Sequence, residues 1–225
     1  MIPKIEIEEF IRVNDAINEP VTKFGGQPVW LTEPQWPISS GWDNRPMMFV
    51  AQVALDKKLF GNIEEKMAYI FVTHAENPED DFFDPDIVYP DEGENAIIIQ
   101  PGGQMFLETQ RLKNGPTLFD SSGLTYEGYV KFKYLEDPEF IDSNVFRNLS
   151  EDKKSDYCKS VEGNKIGGVP YFFQGDEWPE DGKWKLLMQL NSNFLPFYLN
   201  LGASPTAFAF ISDDLKRGKL LIQDM

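Results

Sequence analysis

Two segments of this chain carry the same residues in the same order, and that repetition constrains its folding more than any other feature. Thr22-Lys23-Phe24-Gly25-Gly26-Gln27-Pro28-Val29-Trp30 is answered by Asn164-Lys165-Ile166-Gly167-Gly168-Val169-Pro170-Tyr171-Phe172, and Trp36-Pro37 by Trp178-Pro179. Lys23 to Lys165 and Trp36 to Trp178 are the same step of 142 residues, so no insertion separates the two marks. Gln52, alone in Met48-Phe49-Val50-Ala51-Gln52-Val53, then matches Gln189 in Leu186-Leu187-Met188-Gln189-Leu190. Tyr69-Ile70-Phe71-Val72 matches Phe208-Ala209-Phe210-Ile211. Such self-similarity marks an internal duplication. It predicts a single domain over residues 1–225 made of two repeats, about 20–135 and 160–225, with 136–159 connecting them.

Strands dominate the pattern. Residues 47–55 are apolar on both parities, as in a strand covered on two faces, and 67–73 is a second run of aromatic and branched side chains. Residues 96–100 and 104–109 flank Pro101-Gly102-Gly103, a hairpin signal. Residues 127–135 alternate in part, and 184–191, 206–212 and 219–223 repeat the strands of the first copy. Residues 4–17 fit helical and strand periods alike, and a short helix with a loop is expected over 138–160. The fold class predicted is α+β and β-rich: two similar, mainly antiparallel β units packed into one compact body.

The 225 residues include 21 basic and 37 acidic side chains, a net charge of −16. Nucleic acid is bound through Lys and Arg, so it is not an expected partner. No apolar run approaches the ~20 residues that cross a bilayer, so no membrane association is expected. Met1-Ile2-Pro3-Lys4-Ile5-Glu6 also lacks the basic-then-apolar pattern of a secretory signal. One cysteine, Cys158, excludes an internal disulfide framework and fits the cytoplasm. Residues 76–95 hold nine acidic side chains and no basic one. Charge of that density predicts a solvated loop or a patch for a basic partner, with Asp80, Asp81, Asp84 and Asp86 as candidate binding residues. An EF-hand reading fails, because Asp84-Pro85-Asp86-Ile87-Val88 breaks the ligand spacing.

The doubled Lys-x-Gly-Gly-x-Pro invites comparison with a phosphate loop, whose amides open a helix. Pro28 and Pro170 each remove one such amide, and strand-like Val29-Trp30-Leu31 or Tyr171-Phe172-Phe173 follows. Lys23, Gly25, Gly26 and Pro28, with Lys165, Gly167, Gly168 and Pro170, are therefore read as structural turns. Trp36 and Trp178 are expected to fold back over them. Gln52 and Gln189 admit two readings: amides tied to the backbone of their own glycine turns, or a shared groove that grips a ligand's main chain. His74 is the only histidine, and with one cysteine no Cys/His zinc set can form. The serines lack a Gly-x-Ser-x-Gly elbow. No catalytic residue, metal ligand or cofactor is assigned.

On the doubled Lys-x-Gly-Gly-x-Pro, the two Trp-Pro steps and the Gln-bearing strands, the chain resembles the YwqG-like family, a bacterial domain of unknown function built by duplication. The resemblance covers about residues 20–225 and extends to the closing Ile211-Ser212-Asp213-Asp214-Leu215. It implies a cytosolic protein with no established enzymatic activity. Residues 23–30 are more distantly similar to the opening of programmed cell death protein 2 and its relatives. That similarity implies a chaperone-like role toward a basic ribosomal protein, although the zinc-binding cysteine clusters of those proteins have no counterpart here. The expectation is a non-enzymatic protein-binding or chaperone-like module for a basic partner. The alternative is a small-ligand binder or hydrolytic enzyme using the groove between the two repeats.

Overall fold

Apolar runs rich in aromatic and branched side chains become strands, and glycine and proline punctuate the turns between them. The computed structural model describes residues 1–61, 63–74, 83–104 and 106–224. In chain order the elements are β1 (Ile2–Arg12), β2 (Lys23–Gly25), β3 (Trp36–Pro37), β4 (Met48–Ala54), α1 (Lys57–Phe60), β5 (Met67–Val72), β6 (Asn95–Gln100), β7 (Thr109–Gln110) and β8 (Glu127–Asp137). There follow α2 (Ser143–Arg147), α3 (Glu151–Val161), β9 (Lys165–Gly167), β10 (Trp184–Asn191), β11 (Thr206–Ser212) and β12 (Gly218–Gln223). Residues 4–17, ambiguous by period, begin as the long strand β1. Among the described residues, 104 and 106–109 do not return along β6 as a hairpin. Instead β7 pairs with β3 in a separate two-stranded ribbon.

Ten strands form one sheet in the order β12-β11-β10-β9-β1-β8-β2-β4-β5-β6, every pairing antiparallel. The predicted α+β body of two packed β units is therefore corrected: the fold is mainly β, and strands of both copies belong to a single sheet. The reason lies in the glycine strands. Each is three residues long and needs a long neighbour on its outer side. β2 takes β8, and β9 takes β1 from the far N-terminal end of the chain. β1 and β8 then pair with each other from Ile2↔Asp137 to Arg12↔Gly128, which joins the halves through their backbones.

The sheet curls until its edges nearly meet. Register shifts between Phe49 and Ala51 in β4, and between Leu186 and Met188 in β10, are bulges of the kind that bend a strand. A Cβ on Gly218 of β12 would lie 2.4 Å from Ile97 of β6, so glycine lets the two edges pack together. Gln104 N closes the corner by donating to Lys216 O at 2.8 Å. Inside the curl, Ile5, Phe24, Val50 and Val72 share one core with Met188, Ala209, Ile211 and Leu220. Outside it, each copy has its own cover. Trp30 and Leu112 pack on the layer of Trp36, Phe49, Tyr69 and Phe71, while Phe172, Trp178 and Trp184 pack on Leu186, Phe208, Phe210 and Leu221. Both faces are thus buried over β4–β6 and β10–β12, as their doubly apolar runs require, whereas β8 leaves Tyr129, Phe132 and Tyr134 exposed.

Candidate functional site

Both residues of each glycine pair have positive φ: +66° and +65° at Gly25 and Gly26, +72° and +74° at Gly167 and Gly168. Two successive residues in that region favour glycine strongly. A carboxylate also fills the space where side chains would stand. A Cβ on Gly26 would fall 2.1 Å from the Glu127 carboxyl carbon, and one on Gly168 would fall 2.2 Å from Asp137 Oδ2. The motif lysines reach the same carboxylates. Lys23 Nζ donates to Glu127 Oε1 at 2.6 Å and to Ile17 O at 3.0 Å. Lys165 Nζ donates to Asp137 Oδ2 at 2.7 Å and to Val161 O at 2.6 Å.

The copies differ at one point. Gly25 stands across the sheet from Glu127, whereas Gly167 stands across from Lys4. The second copy thus has a cation where the first has its anion. Asp137 compensates, with Oδ1 2.7 Å from Lys4 Nζ and Oδ2 on Lys165. Burial pulls Lys165 down, to about 8, against the pull of Asp137.

Glutamines tie the loops to the strands. Gln52 Oε1 accepts from Val29 N, and its Nε2 donates to Val21 O, both at 2.8 Å. Gln189 does the same to Tyr171 N and Gly163 O, again at 2.8 Å, each partner 142 residues further on. The sequence reading missed a second pair. Gln100 accepts from Thr32 N and donates to Glu33 O, and Gln223 accepts from Phe173 N and donates to Gly175 O. Each is a lone amide closing an apolar strand, the same signal that marked Gln52. All four are at most 1% exposed, so Gln52 and Gln189 serve separate loops and do not share a ligand groove.

The exposed chemistry lies where the sheet edges meet, between the two copies. Residues 88–91 and the second Trp-Pro step, 176–181, wall a groove of about 670 Å³ beside β12. Among the described residues Asp91, Asp176, Glu177, Glu180 and Asp181 line it, with Lys219 as the single cation. Lys219 Nζ is 2.8 Å from Asp91 and 3.1 Å from Asp181. Burial works against its charge, but those carboxylates outweigh burial and hold Lys219 above the ordinary lysine range. Glu177 and Glu180 have no hydrogen bond or ion pair among the described residues. Past Lys219 the groove runs into a second hollow of about 350 Å³ lined by Phe106, Leu107 and Arg217. Tyr89 and Phe106, 57% and 78% exposed, set aromatic surface beside the acids.

Of the aspartates singled out from the sequence, Asp84 and Asp86 do not line the groove. Asp84 is buried, accepting from Trp42 Nε1 and from Asp86 N, and so caps the turn Pro85–Val88. Asp86 is exposed on that turn, and Asp80 and Asp81 lie outside the described residues. Of the groove acids, Asp91 belongs to the acidic stretch 76–95, while the acids of 176–181 lie outside that stretch. Residues 176–181 carry four acids in six positions, where the corresponding 34–39 carry none. His74 is buried, its Nε2 accepting from Asn200 N at 3.0 Å and its ring edge-on to Phe119 and Tyr198. Among the described residues no cluster of three or more His, Cys, Asp and Glu is placed to hold a metal ion, and no helix is long and apolar enough to cross a membrane.

A family model described as a domain of unknown function, DUF1963, matches residues 22–218. The chain belongs to that family. No curated protein matches the chain. The DUF1963 match begins after β1, yet β1 supplies Lys4 and the strand that completes β9. The groove acids and all four loop-tying glutamines except Gln223 fall inside the DUF1963 match.

Proposed function

We propose that this DUF1963 domain is a non-enzymatic protein-binding module, chaperone-like, which holds a basic partner in the acidic groove between the two copies. The observation that carries the reading is the lining of that groove: five carboxylates against one lysine, with Glu177 and Glu180 left to solvent. A net charge of −16 extends the same field over the whole surface and speeds the approach of a cation. Tyr89 offers a ring face on which an arginine or lysine of the partner can rest. The resemblance to YwqG-like proteins, which have no established enzymatic activity, agrees with the non-enzymatic part of this reading, and the single cysteine agrees with work in the cytoplasm.

The experiment is capture of lysine- and arginine-rich peptides by the immobilised full chain. Wild type retains them, and retention falls as salt rises from about 50 mM to about 500 mM, because exposed charges are screened. The double variant Glu177→Lys/Glu180→Lys keeps its circular dichroism spectrum and loses capture. Undiminished capture by that variant removes the groove from the account.

A further inference from the structure

A further hollow of about 330 Å³, meeting the acidic groove at Gln174 and Asp176, opens between the connecting helices and the loop after the second glycine pair. Six aromatic residues line it from four segments: Phe140, Phe146 of α2, Tyr157 of α3, and Tyr171, Phe172 and Phe173 of the loop. All six are half-buried, as befits the walls of an open space. In the first copy the corresponding loop is packed shut. Trp30 lies 4.6 Å from the Tyr69 ring, and Tyr69 Oη both donates to Val29 O and accepts from Leu31 N. Phe208, the counterpart of Tyr69, has no hydroxyl with which to repeat those bonds.

The polar groups around the hollow are few. Arg147 stands exposed on its lining and makes no ion pair or hydrogen bond among the described residues, in a chain with 37 acidic side chains. Asp176, the carboxylate on the same lining, is already occupied: it accepts from Ser143 N at 2.8 Å and from Ser143 Oγ at 2.6 Å. Tyr171 is pushed up to about 12, by burial first and then by the neighbouring Cys158 side chain, so it is a neutral phenol. One uncommitted guanidinium, a neutral hydroxyl and aromatic walls select a flat ring bearing one acidic group. Phosphate esters, with two charges, are disfavoured by the anionic field of the molecule.

We propose that this hollow binds a small aromatic carboxylate, its ring among Phe140, Phe146, Tyr157 and Phe172 and its carboxylate on Arg147. The site adjoins the acidic groove, sharing Gln174 and Asp176 with it, but the binding groups invoked here, Arg147 and the aromatic walls, are not part of that groove. The test is calorimetric titration of the full chain with benzoate, phenylacetate and indole-3-acetate, with neutral indole and acetate as controls. At least one aromatic acid binds with a dissociation constant below about 1 mM and raises the melting temperature, and both controls bind about tenfold more weakly or worse. Arg147→Gln, at an exposed position, melts as wild type does without ligand and weakens the acid about tenfold. Arg147→Lys, which keeps the charge, recovers part of that loss. The proposal is overturned if no aromatic acid binds the folded wild type at about millimolar concentration, if indole binds as tightly as its acid, or if Arg147→Gln binds undiminished.

Discussion

Asp137, at the end of β8, holds together two lysines from distant parts of the chain: Lys4 from the N-terminal strand and Lys165 from the second glycine motif. It also accepts from Val169 N at 2.9 Å and is fully buried. Removing its charge leaves two buried ammonium groups facing each other. Asp137→Asn is expected to destabilise the protein by about 3–5 kcal/mol in urea unfolding, the range for breaking a buried pair by deleting one partner. Lys165 adds a pH signature. Its folded value, about 8, lies below the ordinary 10.5, so the unfolded chain binds more protons between those limits. Stability from this group therefore grows as pH rises from about 8 toward 10.5 and is absent below that window. Wild type should gain on Lys165→Met when melts at pH 8 and pH 10 are compared; an unchanged gap would show that Lys165 stays charged. That the motif lysines matter was legible from their repetition. Their partners were not, because Lys4 and Asp137 are brought to Lys165 only by the pairing of β1 with β8 and β9.

At the scale of elements, the turns follow local rules and their destinations do not. Gly168 and Gly163 both have positive φ, +74° and +90°, but a Cβ on Gly163 meets nothing within 4 Å, whereas one on Gly168 meets Asp137. Gly163→Ala should lose only the backbone term, about 1 kcal/mol, and Gly168→Ala clearly more, because the ion-paired carboxylate must shift as well. Thermal denaturation of the two variants side by side checks this, and equal losses would mean that the carboxylate yields freely. The strands over 47–55 and 184–191 could be read because both their faces are covered, which leaves a run of apolar residues. Residues 104–109 misled for the opposite reason. Pro101-Gly102-Gly103 has hairpin chemistry, but Gln104 N finds its acceptor at Lys216, on the other edge of the sheet. A turn signal says that the chain bends, not which strand it then meets.

Across the whole molecule, the second copy cannot stand alone. Residues 160–225 contain β9, β10, β11 and β12, but the strand beside β9 is β1, and the core they face is shared with Val50, Ile70 and Val72. A fragment of residues 160–225 should therefore be unfolded, with poor dispersion of its amide resonances, while the full chain is well dispersed; a folded fragment would contradict the shared core. The sheet edges, a liability when bare, are managed by closure. β6 and β12 pack on each other through Gly218, and the turn Pro85–Val88 lies against β12. The same closure brings residues 88–91 beside 176–181 and so creates the acidic groove. The repeated motifs, most strand positions, the glycine turns and the acidic charge were all present in the order and kind of the residues, because each is a local or compositional property. The exchange of long neighbours around the glycine strands, the carboxylate between Lys4 and Lys165, and the meeting of the acidic segments depend on contacts between distant parts of the chain. No residue type or spacing encodes those contacts directly; they form because a three-residue strand needs a partner and the apolar strands on either side of β1 and β8 must bury both faces.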